Sequence, residues 1–192
     1  MKKDSLNEIF WNNRYLDRKT GWDLGIISPP IKKWFETQKN KDLKILVPGA
    51  GKGHEVKYGF KNGFKNIHYL DLSTEAILSF KKNCPNFPKE KILTNDFFEL
   101  NKDVFFDVII EQTFFCAINK NKRRDYFAKM YDLLNAQGKL IGLLFDDNLN
   151  EDHPPFGGSI EEYIKCFSKL FLIIKMERCY NSIKSRTNKE LF

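Results

Sequence analysis

Residues 46–55, LVPGAGKGHE, set a glycine-rich turn behind a short apolar run, and Asp71 ends the next such run, NIHYL, about twenty positions further on. This pairing restricts the chain to α/β folds that hold a nucleotide-like ligand at the ends of their strands. Glycines let the backbone come closer to a ligand than any Cβ would allow. An acid at the tip of the neighbouring strand can accept both hydroxyls of a ribose. The third glycine of a dinucleotide turn would fall at position 54, where this chain has His54; the glycines present are Gly49, Gly51 and Gly53. That G-x-G-x-G pattern suits an adenosine-containing ligand without a pyrophosphate, and S-adenosylmethionine is the cofactor it points to. A plain strand-to-helix connection is the competing reading of the glycines alone; Asp71 favours the cofactor.

Around this turn, strand and helix patterns alternate. Strands are predicted at KILVPG, NIHYLDL, KILTND, FDVIIEQ and KLIGLLF, and helices at EVKYGFKNG, at STEAILSFKKNCP with Ser73 as N-cap, and at KRRDYFAKMYDLLNAQG with Gly138 as the stop. Alternation of this kind implies parallel pairing through crossover helices. Residues 5–17 read as an amphipathic helix carrying Ile9, Phe10, Trp11 and Tyr15, and Pro29 and Pro30 stand where a second helix can start. SIEEYIKCFSKL is a predicted helix, and FLIIKMERCYNS and RTNKELF are two predicted strands closing the sheet. The expected fold is a single Rossmann-like α/β domain of 192 residues, an open, mostly parallel sheet with helices on both faces. Residues 1–40 would form an N-terminal helical lid and residues 41–192 the core.

Composition narrows the setting. A 42% hydrophobic share that includes 18 Phe is enough to fill a core, which excludes a disordered chain. No apolar run is long enough to cross a bilayer and no secretory segment is visible, so a cytoplasmic protein without membrane contact is expected. Cys84, Cys116, Cys166 and Cys179 lack ligand spacing, and His54, His68 and His153 do not cluster, so free thiols and no metal are expected. The net charge of +7 is spread along the chain without an aromatic RNA-binding signature, which argues against a specific nucleic-acid partner. The expected state is a monomer or weak homo-oligomer.

Residues just beyond the strands would share one crevice. Asp96 and Phe97 could meet an adenine edge and face, or could cap a turn and fill the core. Glu111 and Gln112 could hold the amino-acid part of the cofactor or line an acceptor site. Trp11 and Tyr15 lie on one helix face, four residues apart, and with Trp22 could cover a sulfonium cation or simply pack on the sheet. Cys116 reads as a small apolar pocket residue, since nothing near it in sequence would activate a thiol.

Across residues 10–163 the chain resembles the thiopurine S-methyltransferase superfamily, and most closely its halide, thiocyanate and thiol methyltransferase branch. The resemblance rests on FWNNRY, TGWDLG with the following Pro-Pro, LVPGAGKGHE, LDLS, DFF, FDVIIEQTFFCAI and DDNLNEDHPPF. It implies a class I methyltransferase using S-adenosylmethionine and yielding S-adenosylhomocysteine. By this resemblance Trp11, Tyr15 and Trp22 cover the cofactor, Gly49, Gly51 and Gly53 form its loop, Asp71 and Leu72 flank the ribose, and Asp96 with Phe97 flank the adenine. Glu111 and Gln112 stand beside the methyl group as positioning candidates, with Glu111 also at the cofactor, and Phe114, Phe115, Phe145 and His153 border the acceptor. Tyr15 stands where a tryptophan is often found and Phe145 where a tyrosine is, and DDNLNEDHPPF departs from the DDHEGGPPF type. The implied reaction is in-line methyl transfer to a small nucleophile: a thiol or bisulfide, thiocyanate or a halide. A base is optional for such acceptors; His153, Asp152 and Glu111 are its candidates, each with a structural role as the favoured reading. A larger heteroaromatic thiol such as a thiopurine is an alternative acceptor. Nucleic-acid methylation lacks its NPPY-type motif here, and a non-catalytic cofactor-binding module is the reading from another class.

Overall fold

The computed structural model describes residues 6–101 and 103–192. Alternate residues of the central strands face opposite sides, and both sides are apolar. Ile45 and Val47 of β1 (Ile45–Pro48), Ile67 and Tyr69 of β2 (Ile67–Leu70), and Val108 and Ile110 of β4 (Phe106–Gln112) point to one face. They meet Ile31 and Phe35 of α2 (Pro29–Thr37), Val56 of α3 (His54–Lys61), and Ile77 and Phe80 of α4 (Thr74–Asn83). Leu46, Leu70 and Ile109 point the other way, toward Tyr126, Phe127 and Met130 of α5 (Arg123–Asp132) and Tyr163 and Phe167 of α6 (Ile160–Phe167).

The sheet order is β3-β2-β1-β4-β5-β6, with β3 at Ile92–Leu93, β5 at Leu134–Phe145 and β6 at Glu190–Leu191. β1 to β5 run parallel, and β6 is antiparallel to β5. Strand order reverses between β1 and β4, which opens a crevice at their carboxyl ends.

α1 (Glu8–Leu16) buries none of its residues fully and is tied down by polar contacts. Asn12 Oδ1 accepts from Ser73 Oγ–H at 2.7 Å and from Glu75 N–H at 3.2 Å, and Glu8 accepts from the Thr74 hydroxyl at 2.6 Å. Ser73 caps α4 as predicted, accepting from Ala76 N–H at 3.2 Å. The predicted start of α1 at Ser5 lies outside the described residues; Asn7 is the N-cap.

Two elements differ from expectation. α5 stops at Asp132, and the chain enters β5 at Leu134 rather than continuing as a helix to Gly138. Leu134 is buried opposite Phe106, and pairing then steps to Val108 opposite Lys139, so residues 135–138 form an excursion within the strand. Gly138 serves that excursion: a Cβ there would lie 2.9 Å from the Asn135 carbonyl oxygen. At the C-terminal side, FLIIKMERCYNS forms no strand of its own. Leu172 and Ile174 are exposed, and the segment meets the chain end through Glu177 and Phe192, which exchange N–H···O bonds of 3.1 and 2.9 Å, through Cys179 N–H to Glu190 O at 2.9 Å, and through an isolated bridge of Arg178 with Leu191 and its guanidinium on Asn188 O at 3.0 Å.

Among the described residues no helix is long and apolar enough to cross a membrane. No cluster of three or more His, Cys, Asp or Glu side chains there could hold a metal.

Candidate active site

A cleft of about 1100 Å³ opens at the carboxyl ends of the strands. Gly49, Asp71, Leu72, Asp96, Phe97, Phe114 and Phe145 line it, each standing at or just beyond a strand end. Gly49 has φ +57° and Gly53 φ +70°, a region costly for any residue with a Cβ. Space requires glycine as well: a Cβ on Gly49 would stand 2.4 Å from the Phe114 ring, and one on Gly53 2.2 Å from Phe80. Gly53 therefore does not reach the cleft; it starts α3 against a packed ring. Gly51 also lies behind the wall, where its N–H donates to Asp71 Oδ2 at 2.9 Å and its carbonyl accepts from Tyr69 at 2.7 Å. Asp71 Oδ1 accepts from Ser73 N–H at 2.8 Å. Burial pushes the Asp71 carboxyl up to about 6, against the pull of the N–H groups of Ser73, Gly51 and Leu72. Each of its oxygens keeps a lone pair for a ligand hydroxyl.

The turn after β4 is built on Glu111. Its Oε1 accepts from Phe114 N–H at 2.7 Å and Phe115 N–H at 2.9 Å, and its Oε2 from the Tyr126 hydroxyl at 2.7 Å. Burial raises its carboxyl to about 7, opposed by those same donors. Glu111 is thus not on the cleft wall, as cofactor contact would require; it shares its side of β4 with Ile109 and faces α5. Phe115 is likewise corrected from pocket to core, since it packs on Tyr126 at 4.9 Å. Thr113, between them, lines the cleft at φ +57°. Cys116 also lines it, but burial and then Glu111 push its thiol up to about 12, and its Sγ donates to Thr113 O at 3.3 Å, so it is no nucleophile near neutral pH. The Gln112 side-chain oxygen is shut from solvent without a hydrogen-bond partner, beside a void of about 40 Å³ that Trp22, Gly49 and Thr113 also border.

The N-terminal segment covers the cleft with Trp11, Arg14, Tyr15 and Trp22. The rings meet edge to face, Trp11 on Trp22 at 5.5 Å and Tyr15 on Trp22 at 5.9 Å. Burial, followed by the nearby Asp71 carboxylate, raises the Tyr15 hydroxyl well above its ordinary range. His54, at the position of the missing third glycine, binds Asp23 at 2.8 Å, and Lys52 binds the other oxygen of Asp23 at 2.5 Å. Burial alone would raise the Asp23 carboxyl, but Lys52, the Gly25 N–H and His54 together hold it below its usual range. From the opposite side Arg186 donates to the Trp22 carbonyl at 2.9 Å and to Glu190 at 3.1 Å, with its guanidinium 5.3 Å over Phe145. Arg186, Lys189 and Arg14 line the cleft and were not foreseen. RTNKELF reads as a strand, and only the return of the chain beside β5 brings its Arg186 to the site.

Asp96 caps its own turn through Phe98 N–H at 2.9 Å and Phe97 is a core residue, the structural reading of this pair, and both also border the cleft. His153 is exposed, bonded to Pro154 O at 3.0 Å, and is corrected from pocket to rim: Pro154 and Pro155 line the cleft instead. A glycine at the wall, a carboxylate with spare lone pairs, and aromatic cover fit an adenosine ligand bearing a sulfonium.

The family model described as thiopurine S-methyltransferase matches residues 6–191. The chain is 32% identical over 158 residues to a probable thiol methyltransferase 2 of Arabidopsis thaliana, covering 81% of this chain and 70% of that one. It is 28% identical to thiocyanate methyltransferase 1 of Brassica oleracea, covering 97% and 84%. Among solved structures, 1,6-didemethyltoxoflavin-N1-methyltransferase of Burkholderia thailandensis, solved with S-adenosylhomocysteine, superposes with a TM-score of 0.77 at 14% identity over 96% of this chain and 84% of that one, a likeness of fold. The chain belongs to the thiopurine S-methyltransferase family and is an S-adenosylmethionine-dependent methyltransferase.

Proposed function

We propose that this enzyme methylates a small sulfur nucleophile, a thiol or bisulfide first, with thiocyanate and halides as related acceptors. One observation carries the reading: among the described residues, the candidate proton acceptors nearest Cys116, Phe145 and Pro154 in the chain are engaged by other groups or stand outside the cleft. Glu111 is engaged by three donors, Asp147 by Lys189 at 2.9 Å, and His153 stands outside. Such a site favours acceptors that arrive as anions or lose a proton easily, as a thiol with a pKa of about 8.5 does. Bound S-adenosylmethionine supplies a methyl group already activated by its sulfonium charge. Asp71 then holds the ribose, and Asp96 and Phe97 the adenine. Trp11, Tyr15 and Trp22 keep water out and face the cation. Alignment in a dry site can supply about 7–11 kcal/mol without a dedicated base.

We further propose that the protein works as one domain, residues 1–40 serving as lid to the core of residues 41–192, and as a monomer or weak homo-oligomer. Four free cysteines support a reducing, cytoplasmic setting. Calorimetric titration with S-adenosylmethionine is expected to saturate; a folded protein that fails to bind overturns the reading. With labelled methyl donor, transfer to bisulfide and methanethiol is expected to exceed transfer to iodide and thiocyanate. A second reading, a heteroaromatic thiol, is favoured by the cleft's 1100 Å³, which matches or exceeds the roughly 1,000 Å³ upper range of single-ligand pockets. Faster turnover of a thiopurine would establish it.

A further inference from the structure

Five cationic side chains line the cleft: Arg14, Lys19, Lys122, Arg186 and Lys189. Four are already matched. Lys19 faces Asp17 at 2.9 Å, Lys122 faces Asp125 at 3.7 Å, Arg186 faces Glu190 at 3.1 Å and Lys189 faces Asp147 at 2.9 Å. Arg14 has no carboxylate in ion-pair contact among the described residues. Its guanidinium rests over the Phe10 ring at 5.5 Å, and its Nε is shut from solvent without a hydrogen-bond partner. Buried polar atoms without partners are rare in folded proteins, and one on a cleft wall calls for a ligand. Arg14 is placed for that, since it follows Trp11 by three positions and precedes Tyr15 on the helix face turned to the cleft. A guanidinium is a planar fork of donors, matched to a carboxylate.

We propose that Arg14 recognises a carboxylate brought into the cleft, either that of the cofactor's amino-acid end or one carried by the acceptor. The inference rests on the reading of the cleft as the S-adenosylmethionine site. It makes Arg14 a ligand-binding residue supplied by the N-terminal segment.

Four probes separate the sources: S-adenosylhomocysteine and 5′-methylthioadenosine, which lacks the amino-acid end, as ligands; thiosalicylate and uncharged thiophenol as acceptors. If the carboxylate is the cofactor's, Arg14→Gln weakens S-adenosylhomocysteine at least about tenfold, the worth of one charge-assisted hydrogen bond, and leaves 5′-methylthioadenosine unchanged. If it is the acceptor's, S-adenosylhomocysteine binding is retained and KM rises about tenfold for thiosalicylate against thiophenol. Arg14→Lys, which keeps the charge and loses the fork, is expected to recover part of either loss. All four probes unchanged in Arg14→Gln would overturn the proposal, as would a uniform loss across them, which marks packing of the lid. Wild-type protein that fails to bind S-adenosylhomocysteine would sink the cofactor reading along with it, an outcome distinct from both.

Discussion

Thr113 is a β-branched residue held at φ +57°, a conformation that costs about 1–3 kcal/mol and persists only where its surroundings impose it. Glu111 imposes it by gathering the next two backbone N–H groups onto one carboxylate oxygen. Glu111→Ala is expected to destabilise by about 3 kcal/mol, with its three donors orphaned, while Glu111→Gln keeps an acceptor and costs less; urea denaturation measures both. The carboxyl titrates near 7 in the folded chain against an ordinary 4.5, so the folded state holds its proton more tightly. Its contribution to stability therefore grows as pH falls from about 7 toward 4.5 and is lost as pH rises through 7, and Glu111→Gln should remove that slope. For Asp71, near 6, the functional sign is opposite: the ligand's hydroxyls need the carboxylate. Cofactor affinity should fall as pH drops below about 6, and Asp71→Asn should weaken binding roughly tenfold or more and flatten that dependence, read by calorimetry between about pH 5 and 8. Which residues would meet at the strand ends was legible from position for Gly49, Asp71, Asp96 and Phe97, and from the family resemblance for Phe114 and Phe145. The facing of Glu111 was not, because a polar residue in a buried strand can point to a ligand or to a turn, and only the partners on α5 decide.

At the scale of elements, the N-terminal segment is joined to three places at once: α4 through Asn12, the glycine loop through Asp23, and the chain end through Arg186. Asp23→Asn is expected to raise KM for the cofactor several-fold while costing only about 1 kcal/mol of stability, since Asn keeps a polar partner for His54 and Lys52 keeps access to solvent. Limited proteolysis within residues 17–28 should accelerate in parallel. Arg186→Met should cost more, about 3–5 kcal/mol, because Glu190 would be left buried without its partner, and pairing it with Glu190→Gln should recover much of the loss. None of these ties has a sequence signature, since each joins residues distant along the chain. The α5–β5 boundary was lost for a different reason. LLNAQG carries helix-favouring residues, yet Leu134 gains a buried place opposite Phe106, and tertiary burial overrides local preference.

For the molecule as a whole, alternating strand and helix patterns sufficed to place five parallel strands, because period and turn residues are local properties. The edge contributed by β6 was less visible, being only two residues long. A ligand that binds only the folded chain adds about 2.7 kcal/mol when present at 100 times its Kd. For a protein of this size that corresponds to a rise of roughly 5–10 °C in Tm, so S-adenosylhomocysteine should shift the melt while 5′-methylthioadenosine at a lower multiple of its Kd shifts it less. The glycine loop is pressed from both layers: Phe80, whose ring excludes a Cβ at Gly53, belongs to the core on one face of the sheet, and Phe114, which excludes one at Gly49, packs with the core on the other. The loop is thus a shim clamped between two hydrophobic layers, and a trimmed ring in either layer, remote from any bound molecule, would let the cofactor seat drift.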